Sequence, residues 1–79
     1  MNDRFFPHPI RIALPSHQTR VVRSAYEALE CLRDWPASRC RHYRTAWRAC
    51  RDALDGLVSA ERASAALREA ARAARLIVV

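Results

Sequence analysis

Apolar residues in the middle of the chain recur at helical spacing. Tyr43, Ala46, Trp47, Cys50, Leu54 and then Leu57 follow the i, i+3, i+4, i+7 pattern of one face. Arg41, Arg44, Arg48 and Arg51 fall on another face of the same segment, within an arc of about 80° at 100° per residue. The pattern predicts a helix from Ser38 or Arg39 to Asp55, with one flank in a core and another carrying fixed positive charge. Gly56 is placed to end it in the left-handed conformation.

A different period precedes it. Ile10-Arg11-Ile12-Ala13-Leu14, between Pro9 and Pro15, alternates, which predicts a strand with Ile10, Ile12 and Leu14 on one side. Pro15-Ser16-His17-Gln18 supplies turn chemistry, and Thr19 to Arg23 reads as a second strand, so a hairpin is expected. Ser24-Ala25-Tyr26-Glu27 is a capping box. It opens a helix from Ala25 to Asp34 or Trp35, burying Ala25, Ala28, Leu29, Leu32 and Trp35. Pro36 stops this helix by disfavouring helical geometry at Trp35.

Ser59 caps a third helix, and Glu61 in its first turn complements the dipole. Ala63, Ala66, Leu67, Ala70 and Ala74 form its inward side, and Arg68, Arg72 and Arg75 its outer side. Leu76 to Val79 reads as a third strand or as a helix end docked on the core. Residues 1–8 are expected to form a flexible N-terminal arm, polar apart from Phe5-Phe6, ahead of one compact domain over residues 9–79. The order ββαααβ describes an α+β domain: a two- or three-stranded antiparallel sheet packed on three helices.

Size sharpens this picture. A chain of 79 residues has room for one small domain. It buries only about 60–65% of its unfolded surface, so stability is marginal and an oligomer interface is a natural supplement. With 51% hydrophobic residues, the composition is ample for a core and argues against disorder. Phe5-Phe6 and exposed sheet edges favour a homodimer.

Ser24…Glu27-Ala28-Leu29…Leu32…Trp35-Pro36, then Tyr43-x-x-Ala46-x-x-x-Cys50-x-x-Ala53-Leu54-x-Gly56, resembles the small proteobacterial domain of unknown function 982 family over about residues 9–77. The Trp-Pro pair and the Tyr…Ala…Cys…Ala-Leu-x-Gly pieces are its most specific parts. The resemblance implies a compact domain with no assigned activity, cofactor or catalytic residue, so no functional residue carries over. Cys40 stands where the family favours a small residue or Gly.

Charge raises the question of a partner. The net charge is +6, and all 14 basic residues are Arg. Guanidinium forks suit carboxylates and phosphates. An Arg- and Ala-rich chain without Lys is also what a GC-rich genome encodes, and overall charge speaks to encounter rather than purpose. The arginines of the second helix are the expected contact for an anionic partner: an acidic protein surface, or less favoured, nucleic acid. Base reading would need residues such as Asn or Gln among them, and that helix has none.

Catalytic chemistry finds little support. Cys31, Cys40 and Cys50 form no C-x-x-C pair, so reduced thiols are expected, as in a cytoplasmic protein. Cys40, between Arg39 and Arg41 at a helix start, has an environment that favours thiolate, but His42 at i+2 points away from it. Cys40-x-His42 is too few ligands for zinc, and His8 and His17 lie in expected loops. Asp52 and Asp55 are expected to meet Arg48 or Arg51 rather than to act as acid and base. A single Gly excludes a glycine-rich phosphate loop. No leader is expected at Met1 to Phe6, and the run Leu76-Ile77-Val78-Val79 is too short to span a bilayer. The expectation is a non-enzymatic interaction or regulatory module without cofactor, with Trp35 and Trp47 in its core.

Overall fold

A computed structural model of the chain describes residues 3–14, 19–35 and 41–78. Its elements run β1 (Phe5–Ala13), β2 (Thr19–Ser24), α1 (Ala25–Arg33), α2 (Arg41–Leu54), α3 (Ala60–Ala73) and β3 (Ile77–Val78). This is the α+β order expected from the sequence. The turn over Pro15–Gln18, the Pro36 stop and the first residues assigned to the second helix lie outside the described residues.

The sheet has the order β2-β1-β3, with both neighbours antiparallel to β1. Ile10 pairs with Val22 and Ile12 with Arg20, while Val78 closes the other side of Ile12. Alternation sorts the faces: Ile10, Ile12 and Val22 are buried, whereas Arg11, Thr19, Val21 and Arg23 are exposed. The helices therefore cover one face of the sheet only.

Residues 5–8 were expected in the arm, but β1 already begins at Phe5, and Phe6 belongs to the core. The register shifts between Phe5 and Ile10, which is where Pro7 and Pro9 sit. Prolines lack the ladder donor and are tolerated in a central strand only at such irregularities. Ahead of the strand, Asp3 and Arg4 tie down the start of α1. Asp3 Oδ1 accepts from the Tyr26 amide at 3.1 Å, and the Arg4 carbonyl accepts from the Ala25 amide at 2.9 Å. Two of the helix's first unpaired amides are thereby satisfied.

The expected caps form. Ser24 Oγ accepts from the Glu27 amide at 3.2 Å, and Glu27 reaches back to the Arg23 amide at 2.8 Å, one residue before the cap. Ser59 Oγ accepts from the Arg62 amide. Gly56 has φ +77°. Leu57 N–H donates to the Asp52 carbonyl and Gly56 N–H to the Ala53 carbonyl, the paired bonds of a Schellman ending. The same pair closes α3, from Leu76 to Ala71 and from Arg75 to Arg72. There the left-handed position is held by Arg75, at φ 61°. Arg75 thus lies past the end of α3 rather than on its outer side.

The core joins Phe6, Ile10, Ile12, Leu14 and Val22 to Leu32, Trp35 and Leu67. Between α2 and α3 the buried residues are small: Ala46, Cys50 and Ala53 on one helix, and Ala63, Ser64, Ala70 and Ala71 with Leu67 on the other. Such residues let the helix backbones approach closely. The inward face of α3 is turned slightly from expectation, with Ser64 and Ala71 buried and Ala66 and Ala74 only half-buried. Ser64 is compatible with burial because its hydroxyl accepts from Arg68 at 3.1 Å. Cys31 is likewise inside α1's buried face, where Leu29 is half-buried.

Candidate functional site

Amphipathicity aims the side chains of α2. Ala46, Cys50 and Ala53 occupy its inner face, so the expected arginine stripe must lie outside. Arg41, Arg44, Arg48 and Arg51 are all exposed. Among the described residues, ion pairs join Arg20 to Asp34 at 2.8 Å and Arg72 to Glu69 at 3.1 Å, and none engages the stripe. The expected pairing of Asp52 or Asp55 with Arg48 or Arg51 does not form. Half-buried Asp52 lies beside the stripe and Asp55 just past the end of α2, and both line a hollow of about 320 Å³ with Trp47, Arg48 and Arg51. The positive stripe is therefore flanked by carboxylates.

The aromatic residues divide the apolar flank. Trp35 is 5% exposed, and its indole N–H donates to Cys31 Sγ at 3.3 Å. Tyr43 stands between the two tryptophans: its ring meets Trp35 edge-on at 6.1 Å and stacks on Trp47 at 6.3 Å. The Tyr43 hydroxyl donates to the Leu32 carbonyl at 2.8 Å, fastening α2 to the last turns of α1. Partial burial pushes the Tyr43 phenol up from its usual range. Trp47 packs against the core as expected but is only half-buried. Leu57, read as a continuation of the apolar face, is 73% exposed, because the turn at Gly56 ends the helical period before it.

Trp47 and its neighbours border an open surface concavity of about 800 Å³. From α2 come Tyr43, Arg44, Trp47 and Arg48; from across the α2–α3 turn come Val58, Arg62 and Ala66. The sequence reading named the arginines of α2 but missed the contribution of the second helix. Arg62 lies in the first turn of α3, and only the reversal at Gly56 carries it beside α2. Its charge and spacing alone gave no signal of that. Together these side chains present guanidinium groups around aromatic and aliphatic surface. Such an arrangement can bind anions that also bring apolar area.

The thiols offer no nucleophile among the described residues. Burial pushes Cys50 up to about 12. Burial also raises Cys31, opposed by the hydrogen bond from Trp35 and the nearby Arg20 charge. A protonated, enclosed thiol does not attack. Cys40 and His17 lie outside the described residues; His8, expected in a loop, is exposed on β1. Among the described residues, no three His, Cys, Asp or Glu side chains gather to hold a metal, and no helix is long and apolar enough to cross a membrane.

Fold and surface together define a small basic α+β domain with one arginine-rich helical face. Residues 8–78, nearly the whole chain, match the family model described as a protein of unknown function (DUF982), and the chain belongs to that family. The match runs from within β1 to the end of β3, so the family unit takes in all three helices and most of the sheet. No curated protein and no solved structure matches the chain.

Proposed function

We propose that this domain is a non-enzymatic protein-interaction module, working in the cytoplasm, whose α2 arginine face meets an acidic protein partner. One observation carries the reading: Arg41, Arg44, Arg48 and Arg51 are exposed on one face with no ion pair to any acid among the described residues. The planar guanidinium fork is pre-organised for a carboxylate, so less freedom is lost per hydrogen bond formed, and the four charges speed encounter. Nucleic acid is the alternative partner for the same arginines. Reading bases would need Asn or Gln among the arginines, and α2 has neither, which counts against it.

The two partners separate by titration. Fluorescence anisotropy would follow binding of a labelled glutamate-rich peptide, duplex DNA, single-stranded DNA and RNA as salt is raised. The proposal expects the peptide to bind and the nucleic acids to bind more weakly at physiological salt. Duplex binding through all four arginines would show a slope near −3.6 in log K against log salt. That slope together with tighter DNA binding contradicts the proposal, as does no peptide binding at low salt.

Self-association rests on a narrower base. Phe6 is in the core, whereas Phe5 is 71% exposed and β2 is an edge strand. A homodimer using them would sediment above 9.0 kDa at high micromolar concentration; a monomer alone removes it.

A further inference from the structure

We infer that the partner segment is an acidic amphipathic helix that also inserts a large apolar side chain between α2 and α3. This inference rests on the proposed acidic partner and adds to it the hydrophobic half of the contact. The concavity of about 800 Å³ is as large as a side-chain anchor requires, and Trp47, Val58 and Ala66 supply apolar surface at its edge and floor. All three are half-buried in the free domain, so part of their surface is left for an occupant to cover.

Charge selects the occupant. Arg44 and Arg48 line the concavity from one helix and Arg62 from the other, so cations stand on both sides of the apolar surface. None of the three has an ion-pair partner among the described residues. A purely aliphatic segment would leave these charges desolvated and unpaired at the contact. A polyanion without an apolar group would leave Trp47 and Val58 wet. An amphipathic helix with acids flanking a leucine or phenylalanine satisfies both, and a trough between two helices is a shape that such helices fill.

Length agrees. Arg41 to Arg51 spans about 15 Å of helix axis, so about three turns of a partner helix run alongside the stripe. Nucleic acid fits the same place less well. One face of Trp47 is already taken by Tyr43, which leaves less ring for stacking bases.

The test uses the full chain and two labelled peptides of about 16 residues with identical glutamates. One carries Leu and Phe at i and i+4; in the other both are Ala. At about 150 mM salt the first is expected to bind at least tenfold more tightly than the second, a gap of about 1.4 kcal/mol. Ala66→Gln, which narrows the concavity, is expected to erase that gap by weakening the Leu/Phe peptide. Equal affinities of the two peptides for the unaltered chain overturn the inference but leave the arginine-face proposal standing. No binding of either peptide at low salt overturns both. Tighter binding of a duplex DNA probe than of the Leu/Phe peptide overturns the inference in favour of a nucleic-acid surface. Should Ala66→Gln fail to fold by circular dichroism, the peptide pair on the unaltered chain decides the matter by itself.

Discussion

Replacing each tryptophan by alanine separates the core from the binding surface. Trp35 is 5% exposed, donates a hydrogen bond to Cys31 and packs edge-on against Tyr43. Its loss combines transfer and cavity terms of about 3–5 kcal/mol. Trp47 is half-buried with one face stacked on Tyr43, so about half of that transfer term applies and the vacated space opens to water rather than forming a cavity. Trp47→Ala should then cost about 1.5–2.5 kcal/mol, of which the ring stack contributes about 0.5–1. A domain of this length has about 4–12 kcal/mol of total stability, so Trp35→Ala removes at least about a quarter of it and unfolds a domain at the low end of that range, while Trp47→Ala remains native. Unfolding entropy near 2.1 cal/mol/K per residue converts about 2 kcal/mol into a melting-temperature drop of about 12 °C for Trp47→Ala. Thermal and urea unfolding followed by far-ultraviolet circular dichroism reads both variants. If Trp47→Ala destabilises as much as Trp35→Ala, Trp47 is a core residue and the concavity beside it is not a surface for a partner. If it costs nothing measurable, the Tyr43–Trp47 stack has no energetic weight.

Three further outcomes follow from the same contacts. Arg75→Gly should raise stability by about 1 kcal/mol in urea unfolding, because Arg75 sits at φ 61°, where a side chain is strained and glycine is not; no gain would mean that lost contacts of the arginine offset the relief. Alkaline titration should weaken the fold as pH rises from about 9 to about 12. Cys50 ionises in the unfolded chain near its usual value but stays protonated when folded, so the native state binds the extra proton in that window. Below pH 9 this contribution is fully present, and Cys50→Ala should flatten the alkaline slope. Arg44→Gln with Arg48→Gln should move the melting temperature by less than about 6 °C, as expected for exposed residues without ion pairs among the described residues, while reducing binding of the glutamate-rich peptide in anisotropy; a larger thermal loss would assign the pair a structural role.

Much of the fold was legible because local signals agreed with one another. The capping serines Ser24 and Ser59, the glycine at position 56 and the alternation of Ile10 and Ile12 each mark a boundary or a face through short-range geometry. What escaped depended on distant contacts. Phe5 and Phe6 have no periodic pattern around them, and Pro7 and Pro9 argue against a strand. Their pairing with β2 exists only because the chain returns there. Arg75 looks like a helix residue until Leu76 and the two strand residues after it pull the backbone into a left-handed exit. The stripe of arginines on α2 was readable from spacing alone, whereas its setting was not. Val58, Arg62 and Ala66 join it only through the reversal at Gly56.

The most direct measurement is a heteronuclear NMR titration of the labelled domain with the acidic Leu/Phe peptide. The account predicts shifts concentrated on the arginine side chains of Arg44, Arg48 and Arg62, the Trp47 indole and the Val58 methyls, with Arg11, Val21 and Arg23 on the open sheet face unmoved. Shifts centred on that sheet face, or a spectrum that does not change at low salt, would contradict it.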